Sequence, residues 1–252
     1  MKIGNIILLI IFPCAVFAAK GTLEERLDAL EYSVGVPLTG DDLEDEDYKS
    51  PEMYVMERYD MTEGELLSDI IALSRRYTLA ETNEEKRVVR SASIRLMGYY
   101  STTNELSYLS TIWKNNADYS QRDALKVAMA VAKNSDQMWD IVNDIFTPSN
   151  NYNQVNRFAV YSSLATFSKA EATNSFLKVR KEKIAAFFFQ RAALETDSML
   201  YVDRVACDLN PSYRHSQQRR DNLARLRPTG LTGEQAEIYD ARQRDAQPKE
   251  GE

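Results

Sequence analysis

The sequence predicts an all-α protein: an α-solenoid of about four stacked helical hairpins, with mobile charged extensions at its N- and C-terminal ends. Three observations support this prediction. Apolar residues recur at helical spacing from Thr62 onward, and a ten-residue pattern repeats along the chain. In addition, no Asn-Gly or Asp-Gly pair lies between alternating apolar residues, as a β-hairpin would require. The 252 residues are 44% hydrophobic and 27% charged, which is a composition typical of a globular chain.

Residues 1–18 predict a secretory signal peptide. Lys2 precedes the apolar run Ile6–Phe12, and small residues stand at the −3 and −1 positions of a cut after Ala18. An uncleaved membrane anchor is the weaker alternative, because the apolar stretch is short for a membrane span and Pro13 interrupts it. We therefore expect an exported protein, periplasmic or extracellular, in a bacterial envelope.

Residues 19–61 predict a short helix followed by a mobile acidic segment. The spacing of Leu23, Leu27 and Leu30 favours a helix. The acidic segment repels itself and is a candidate partner-binding site; its acids are Asp41, Asp42, Glu44, Asp45, Glu46 and Asp47. A calcium loop of the EF-hand type is disfavoured, because Glu46 occupies the sixth position, where that loop needs glycine.

Residues 62–209 contain the repeats. The windows Val89–Gly98, Gln121–Ala130 and Asn156–Ala165 each have arginine at the second position and alanine at the fourth. A weaker fourth copy starts at Gln190. The arginines recur every 32 to 35 residues and are Arg90, Arg122, Arg157 and Arg191. Because corresponding positions of stacked repeats meet similar neighbours, we expect these arginines to pair with acids or carbonyls inside the stack rather than with an anionic ligand.

A second helix is predicted after each of the first three windows. These helices cover Asn104–Lys114, Asp136–Phe146 and Glu171–Lys181, and apolar residues keep the same distance from the start of each window. Small residues at positions four and ten allow the two helices of a pair to approach closely. Neighbouring pairs must then stack, because no single hairpin can bury its apolar face.

The first window resembles the HEAT-like family of helical repeats. The resemblance lies in Val89-Arg90, Ala92 and Met97-Gly98, and it extends at the level of the fold over about residues 82–209. It implies an α-solenoid whose concave face binds a partner, and it implies no chemistry.

The C-terminal part divides into a basic capping helix at 210–230 and a charged, disordered tail at 231–252. The candidate partner-binding arginines of the capping helix are Arg214, Arg219, Arg220 and Arg225. They could contact an anionic membrane surface, a nucleic acid, or the acidic segment at 41–47 of the same or a neighbouring chain. A capping helix with a solvated outer face is the simpler interpretation.

Aromatic residues and the second cysteine are predicted to lie mainly inside the fold. Phe187–Phe189 belong to an apolar helix expected from Ile184 to Leu200, and Tyr99, Tyr100, Trp113 and Trp139 lie within repeats. Cys207 would be the only cysteine of the processed chain and is expected to be a buried thiol.

The composition excludes several kinds of chemistry. A net charge of −7 argues against nucleic-acid binding, and one histidine with two cysteines excludes metal sites rich in these residues. The single histidine, His215, has polar and basic neighbours and is expected to face solvent. We predict no cofactor and a non-enzymatic protein-binding or scaffold function. The alternatives are a peripheral membrane or cell-wall binder that uses the capping helix, or a carboxylate-dependent hydrolase, which needs two acids about 5–9.5 Å apart.

Overall fold

The computed structural model describes residues 20–35, 50–77, 82–115, 118–150, 152–171, 173, 175–196 and 198–248. Across these ranges the protein is all-helical, with thirteen α-helices, two short 3₁₀ turns and no strand, which confirms the all-α part of the prediction. None of the described helices is long and apolar enough to cross a membrane. The predicted signal peptide at 1–18 and the acidic segment at 41–47 lie outside the described residues.

The helices form two compact units. The first contains α1 (Leu23–Gly35), α2 (Pro51–Arg58), α3 (Glu63–Arg76) and the beginning of α4 (Glu84–Tyr100), up to Ser93. Helix α1 packs against both α2 and α3. Helix α2 was not predicted; it begins with a proline at its first position, where the missing N–H would have no helical partner in any case.

Helix α3 begins after Thr62 with a capping box. The backbone N–H of Glu65 donates to the Thr62 hydroxyl at 3.3 Å, and the Thr62 N–H donates to the Glu65 carboxylate at 2.9 Å. Lys20 Nζ also donates to Glu65 Oε1 at 2.8 Å. The bonds from Lys20 and then from Thr62 lower the pKa of Glu65 to about 2.

The second unit begins at Ile94 and contains the rest of α4, followed by six longer elements and three C-terminal helices. The six are α5 (Leu106–Trp113), α6 (Gln121–Ala132), α7 (Gln137–Phe146), α8 (Gln154–Lys169), α9 (Ser175–Ala192) and α10 (Met199–Leu209). Helices α6 and α8, which contain the second and third windows, pack directly against each other. The residues at the ninth position of the three windows, Met97, Met129 and Leu164, are all fully buried.

The fourth repeat copy is not a repeat of the same kind. Its window spans the end of α9, a connection and the first residue of α10, so the helix expected from Ile184 to Leu200 is interrupted. Helix α9 starts later than predicted and continues to Ala192. It continues because Ile184, Phe188 and Ala192 are spaced by four residues and form one fully buried stripe.

The three C-terminal helices are α11 (Pro211–Arg214), α12 (Gln217–Leu226) and α13 (Gly233–Asp245). The single helix expected over 210–230 is therefore two helices. The prediction of a disordered tail from 231 is wrong for the described residues of that segment. Tyr239 of α13 and Ala246, just beyond it, are buried against Met199 and Leu223, and this apolar contact holds the helix on the unit.

Candidate functional site

Arg90, the first arginine of the repeated windows, binds a helix end inside the fold. Arg90 is 5% exposed and donates to the carbonyl oxygens of Ser74 and Tyr77, the latter at 3.1 Å, where α3 ends. The last carbonyls of a helix have no helical partner and carry the negative end of its dipole, so a guanidinium is well placed there. The predicted pairing with a carbonyl is thus confirmed for Arg90, whereas Arg122 is exposed.

The same arrangement occurs at three helix ends of the second unit. Arg180 of α9 donates to the carbonyl of Lys133 and to Asn134 Oδ1 at 2.9 Å, at the end of α6. Arg220 donates to the carbonyls of His215 and Ala246 at 2.7 and 3.0 Å, at the ends of α11 and α13. These guanidinium groups therefore join helices of the unit to one another.

Arg219, a predicted partner-binding residue, lies completely inside the second unit. Its Nε and Nη2 donate to the two carboxylate oxygens of Asp203, both at 2.9 Å, and its Nη1 donates to Asp245 at 3.0 Å. Arg219 and Asp203 are 0% and 1% exposed. Burial alone would raise the pKa of Asp245, but the bond and charge of Arg219 outweigh it and lower that pKa. Arg219 therefore cannot contact a partner in this conformation.

Cys207 is a buried thiol, as the sequence predicted, and it lies near this ion pair. It is 4% exposed and free. Burial, and then the negative charge of Asp203, raise the pKa of its thiol to about 11. The thiol is therefore protonated at neutral pH and poorly nucleophilic.

A second buried network joins α8 to the end of α9. The Tyr161 hydroxyl donates to Glu195 Oε2 at 2.6 Å, and Arg191 Nη2 lies 3.0 Å from the same oxygen. Arg191 also stacks over the Phe146 ring at 4.7 Å. Burial would raise the pKa of Glu195, but the bonds from Tyr161 and Arg191 lower it. The lowered pKa keeps this carboxylate charged, whereas a general acid needs a raised pKa.

The aromatic residues mostly lie inside the fold, as expected. Phe188 is fully buried, and Phe187 contacts Trp139 and Phe146 edge-on with ring centroids 6.2 and 5.2 Å apart. Tyr99, expected to lie within a repeat, is 83% exposed.

The other predicted partner-binding residues are scattered. The acids at 41–47 lie outside the described residues, and Arg214 is exposed and 3.8 Å from Asp208. His215 is half-buried rather than solvent-facing, with Nδ1 3.2 Å from the carbonyl oxygen of Gln247. Of the four arginines predicted to bind a partner, only Arg214 and Arg225 are exposed.

Arg225 lies at the edge of a groove in the second unit, formed by the beginnings of α8 and α10, the end of α12, and α13. We call it the C-terminal groove; its volume is about 760 Å³. The ring centroids of Phe158 and Tyr201 in its wall are 4.9 Å apart. The apolar lining residues are Phe158, Leu200, Tyr201, Leu226, Pro228, Leu231, Ile238 and Tyr239.

The polar lining of the C-terminal groove is basic or neutral among the described residues. Its members are Gln154, Thr196, Ser198, Arg225, Arg227 and Gln235. Asp197, between two of them, lies outside the described residues. The described lining thus contains no histidine, cysteine or carboxylate that could act as a general base, so these residues can bind but do not form an acid–base pair.

The described part of the chain contains no candidate metal site. There, no three histidine, cysteine, aspartate or glutamate side chains are grouped so that they could hold a metal ion. Searches of protein-family models, curated proteins and solved structures each find no match to this chain.

The C-terminal groove was not predicted from the sequence, because α13, which forms one of its walls, was expected to be disordered. The available signal was Ile238-Tyr239 with Ala246 about two turns later, a short apolar stripe in an otherwise charged segment.

Proposed function

We propose that this chain is a non-enzymatic protein-binding protein that holds an apolar segment of its partner in the C-terminal groove. The observation that carries the proposal is the groove itself, in which eight apolar residues line a volume of about 760 Å³. Binding sites for ligands and side chains are commonly concave, mainly apolar and about 300–1,000 Å³ in volume. A groove with apolar walls and few polar groups suits recognition by shape and burial of apolar surface.

We further propose that α5 to α10 form a short HEAT-like solenoid that supports this groove. Two contacts between successive hairpins favour it: α6 packs against α8, and Trp139 and Phe146 of α7 contact Phe187 of α9. In a solenoid each hairpin needs only its neighbours, and the end of the stack needs a cap. Helices α12 and α13 would provide that cap, and the groove would lie where the cap meets the stack.

The proposed setting is the bacterial envelope, periplasmic or extracellular, and it rests on the signal-peptide pattern at residues 1–18. A membrane or cell-wall function through the basic segment has less support. Arg219 and Arg220 are engaged with Asp203, Asp245 and backbone carbonyls, which leaves few cations for an anionic surface.

The test is an affinity capture from the native host's envelope fraction with three forms of the full chain as bait. The wild type is compared with Ile238→Glu, which places a charge in the groove wall, and with Val179→Glu as a matched control. Ile238 and Val179 are both apolar helix residues of the second unit, 42% and 50% exposed, and only Ile238 lines the groove.

We expect one protein to be retained in stoichiometric amount by the wild type and by Val179→Glu, and to be lost from Ile238→Glu. Equal retention by all three baits would place the contact elsewhere and refute the proposed groove function. Circular dichroism of the three proteins would establish that the substitutions leave the helical fold intact.

A further inference from the structure

We propose that the partner segment held by the C-terminal groove presents a carboxylate beside its apolar side chains, and that Arg225 binds this carboxylate. This inference rests on the proposed function and specifies the chemistry of the partner. It starts from the charge of the described lining, which is positive in a protein with a net charge of −7.

Arg225 has the properties of an anion-binding group. Its Nη2 donates to the carbonyl of Ala193 at 2.7 Å and to Asn222 Oδ1 at 3.1 Å, and both acceptors are neutral. These two bonds fix the orientation of the guanidinium at the groove edge without neutralising its charge. A guanidinium has five N–H donors, so an arginine held by one nitrogen still offers donors to a carboxylate, and it can do so in two-point geometry.

The second arginine of the groove differs from Arg225. Arg227 Nη1 lies 2.7 Å from Asp240 Oδ1, so its charge is paired within the unit. Arg225 is therefore the residue on which charge complementarity with a partner depends, and Arg227 serves as an internal comparison. Asp221, in the neighbouring surface concavity, is bonded to Gln217 Nε2 at 2.7 Å.

The apolar walls determine what accompanies the carboxylate. Phe158 and Tyr201 on one side and Ile238 on α13 can enclose an aliphatic or aromatic side chain. An apolar wall with a fixed cation at its edge matches a peptide in which apolar and acidic residues are adjacent. It would repel the same peptide with lysine in place of the acid.

The experiment uses three short synthetic peptides, acetylated and amidated, in which leucine and phenylalanine alternate with glutamate, glutamine or lysine. Binding to the full chain is measured by fluorescence anisotropy of a rhodamine label at low and at physiological salt. The protein variants are Arg225→Gln, Arg225→Lys and Arg227→Gln, with Arg122→Gln as the control, since Arg122 is an exposed arginine of α6 outside the groove.

We expect the glutamate peptide to bind about tenfold more tightly than the glutamine peptide, and the lysine peptide to bind most weakly. Arg225→Gln should reduce the affinity for the glutamate peptide to that for the glutamine peptide and so abolish the preference. Arg225→Lys should retain part of the preference, because the charge remains. Arg122→Gln, outside the groove, should leave the affinities of all three peptides unchanged, and Arg227→Gln should retain the preference for glutamate, because the Arg227 charge is already paired with Asp240.

Equal binding of the glutamate and glutamine peptides, or an unchanged preference in Arg225→Gln, would overturn this inference while leaving the groove as a binding site. Absence of binding by all three peptides at millimolar protein would overturn the inference and the proposed groove function together. Ile238→Glu tests whether the groove is the site, since a carboxylate in its wall should abolish binding of the glutamate and glutamine peptides there. Thermal melts followed by circular dichroism would show whether loss of the Ala193 bond affects the fold.

Discussion

Replacement of Arg219 by methionine should be among the most destabilising single changes in the second unit. The guanidinium is completely buried and makes four hydrogen bonds, two to Asp203, one to Asp245 and one to the carbonyl of Arg214. Methionine can fill much of the apolar space but can make none of these bonds. The carboxylate of Asp203, 1% exposed, would be left charged and without its main partner.

The expected loss in free energy of unfolding is about 3–5 kcal/mol, the range for removing one partner of a buried ion pair. An exposed pair would be worth about 1 kcal/mol or less. The double variant Arg219→Met with Asp203→Leu removes both charges, so we expect it to recover more than about 2 kcal/mol of the loss. The matched control is Arg122→Met, which replaces an exposed arginine of the same unit.

Urea unfolding followed by tryptophan fluorescence measures this loss in the second unit, which contains Arg219. The protein has two tryptophans, Trp113 and Trp139, and both belong to the second unit. The reasoning is refuted if Arg219→Met lowers the unfolding free energy by no more than Arg122→Met does. It is also refuted if the double variant is less stable than the single one.

Three further predictions concern individual side chains. The Glu65 carboxylate, whose pKa falls from 4.5 to about 2 on folding, stabilises the first unit above about pH 4.5, and this contribution is lost as the pH falls toward 2. Circular dichroism should show this acid dependence weakened in Glu65→Gln. The thiol of Cys207, with a pKa of about 11, should react with a disulfide reagent only after unfolding in urea, and rapid reaction of the native protein would contradict its burial. Tyr161→Phe removes a donor from buried Glu195 and should cost about 1–3 kcal/mol in fluorescence-monitored unfolding, whereas an unchanged midpoint would show that Arg191 alone satisfies the carboxylate.

The sequence predicted the elements whose signals are local. Thr62 and Glu65 stand three residues apart, as a capping box requires, and the helix begins there. The second helix of the middle hairpin, expected over Asp136–Phe146, is found at Gln137–Phe146 because its apolar residues recur with helical spacing. These features depend on residues within one or two turns of each other.

The features that the sequence did not predict depend on distant partners. Arginine is usually a surface residue, and the burial of Arg219 follows from Asp203 and Asp245, which only the folded chain brings to it. Helix α13 has few apolar residues of its own, and its stability comes from packing of Tyr239 against Met199, forty positions earlier in the chain. The C-terminal groove could not be predicted for the same reason, because it exists only once α13 is in place.

Site-specific photo-crosslinking in the native host tests the central claim most directly. A benzoylphenylalanine at Gln235, an exposed residue of the groove lining, is compared with the same substitution at Gln137, an exposed residue that begins α7. We predict that irradiation joins one discrete protein to the chain from position 235 and none from position 137, and that adding Ile238→Glu removes the product. A product of equal yield from both positions, or none from position 235, would contradict the assignment of the C-terminal groove as the partner-binding site.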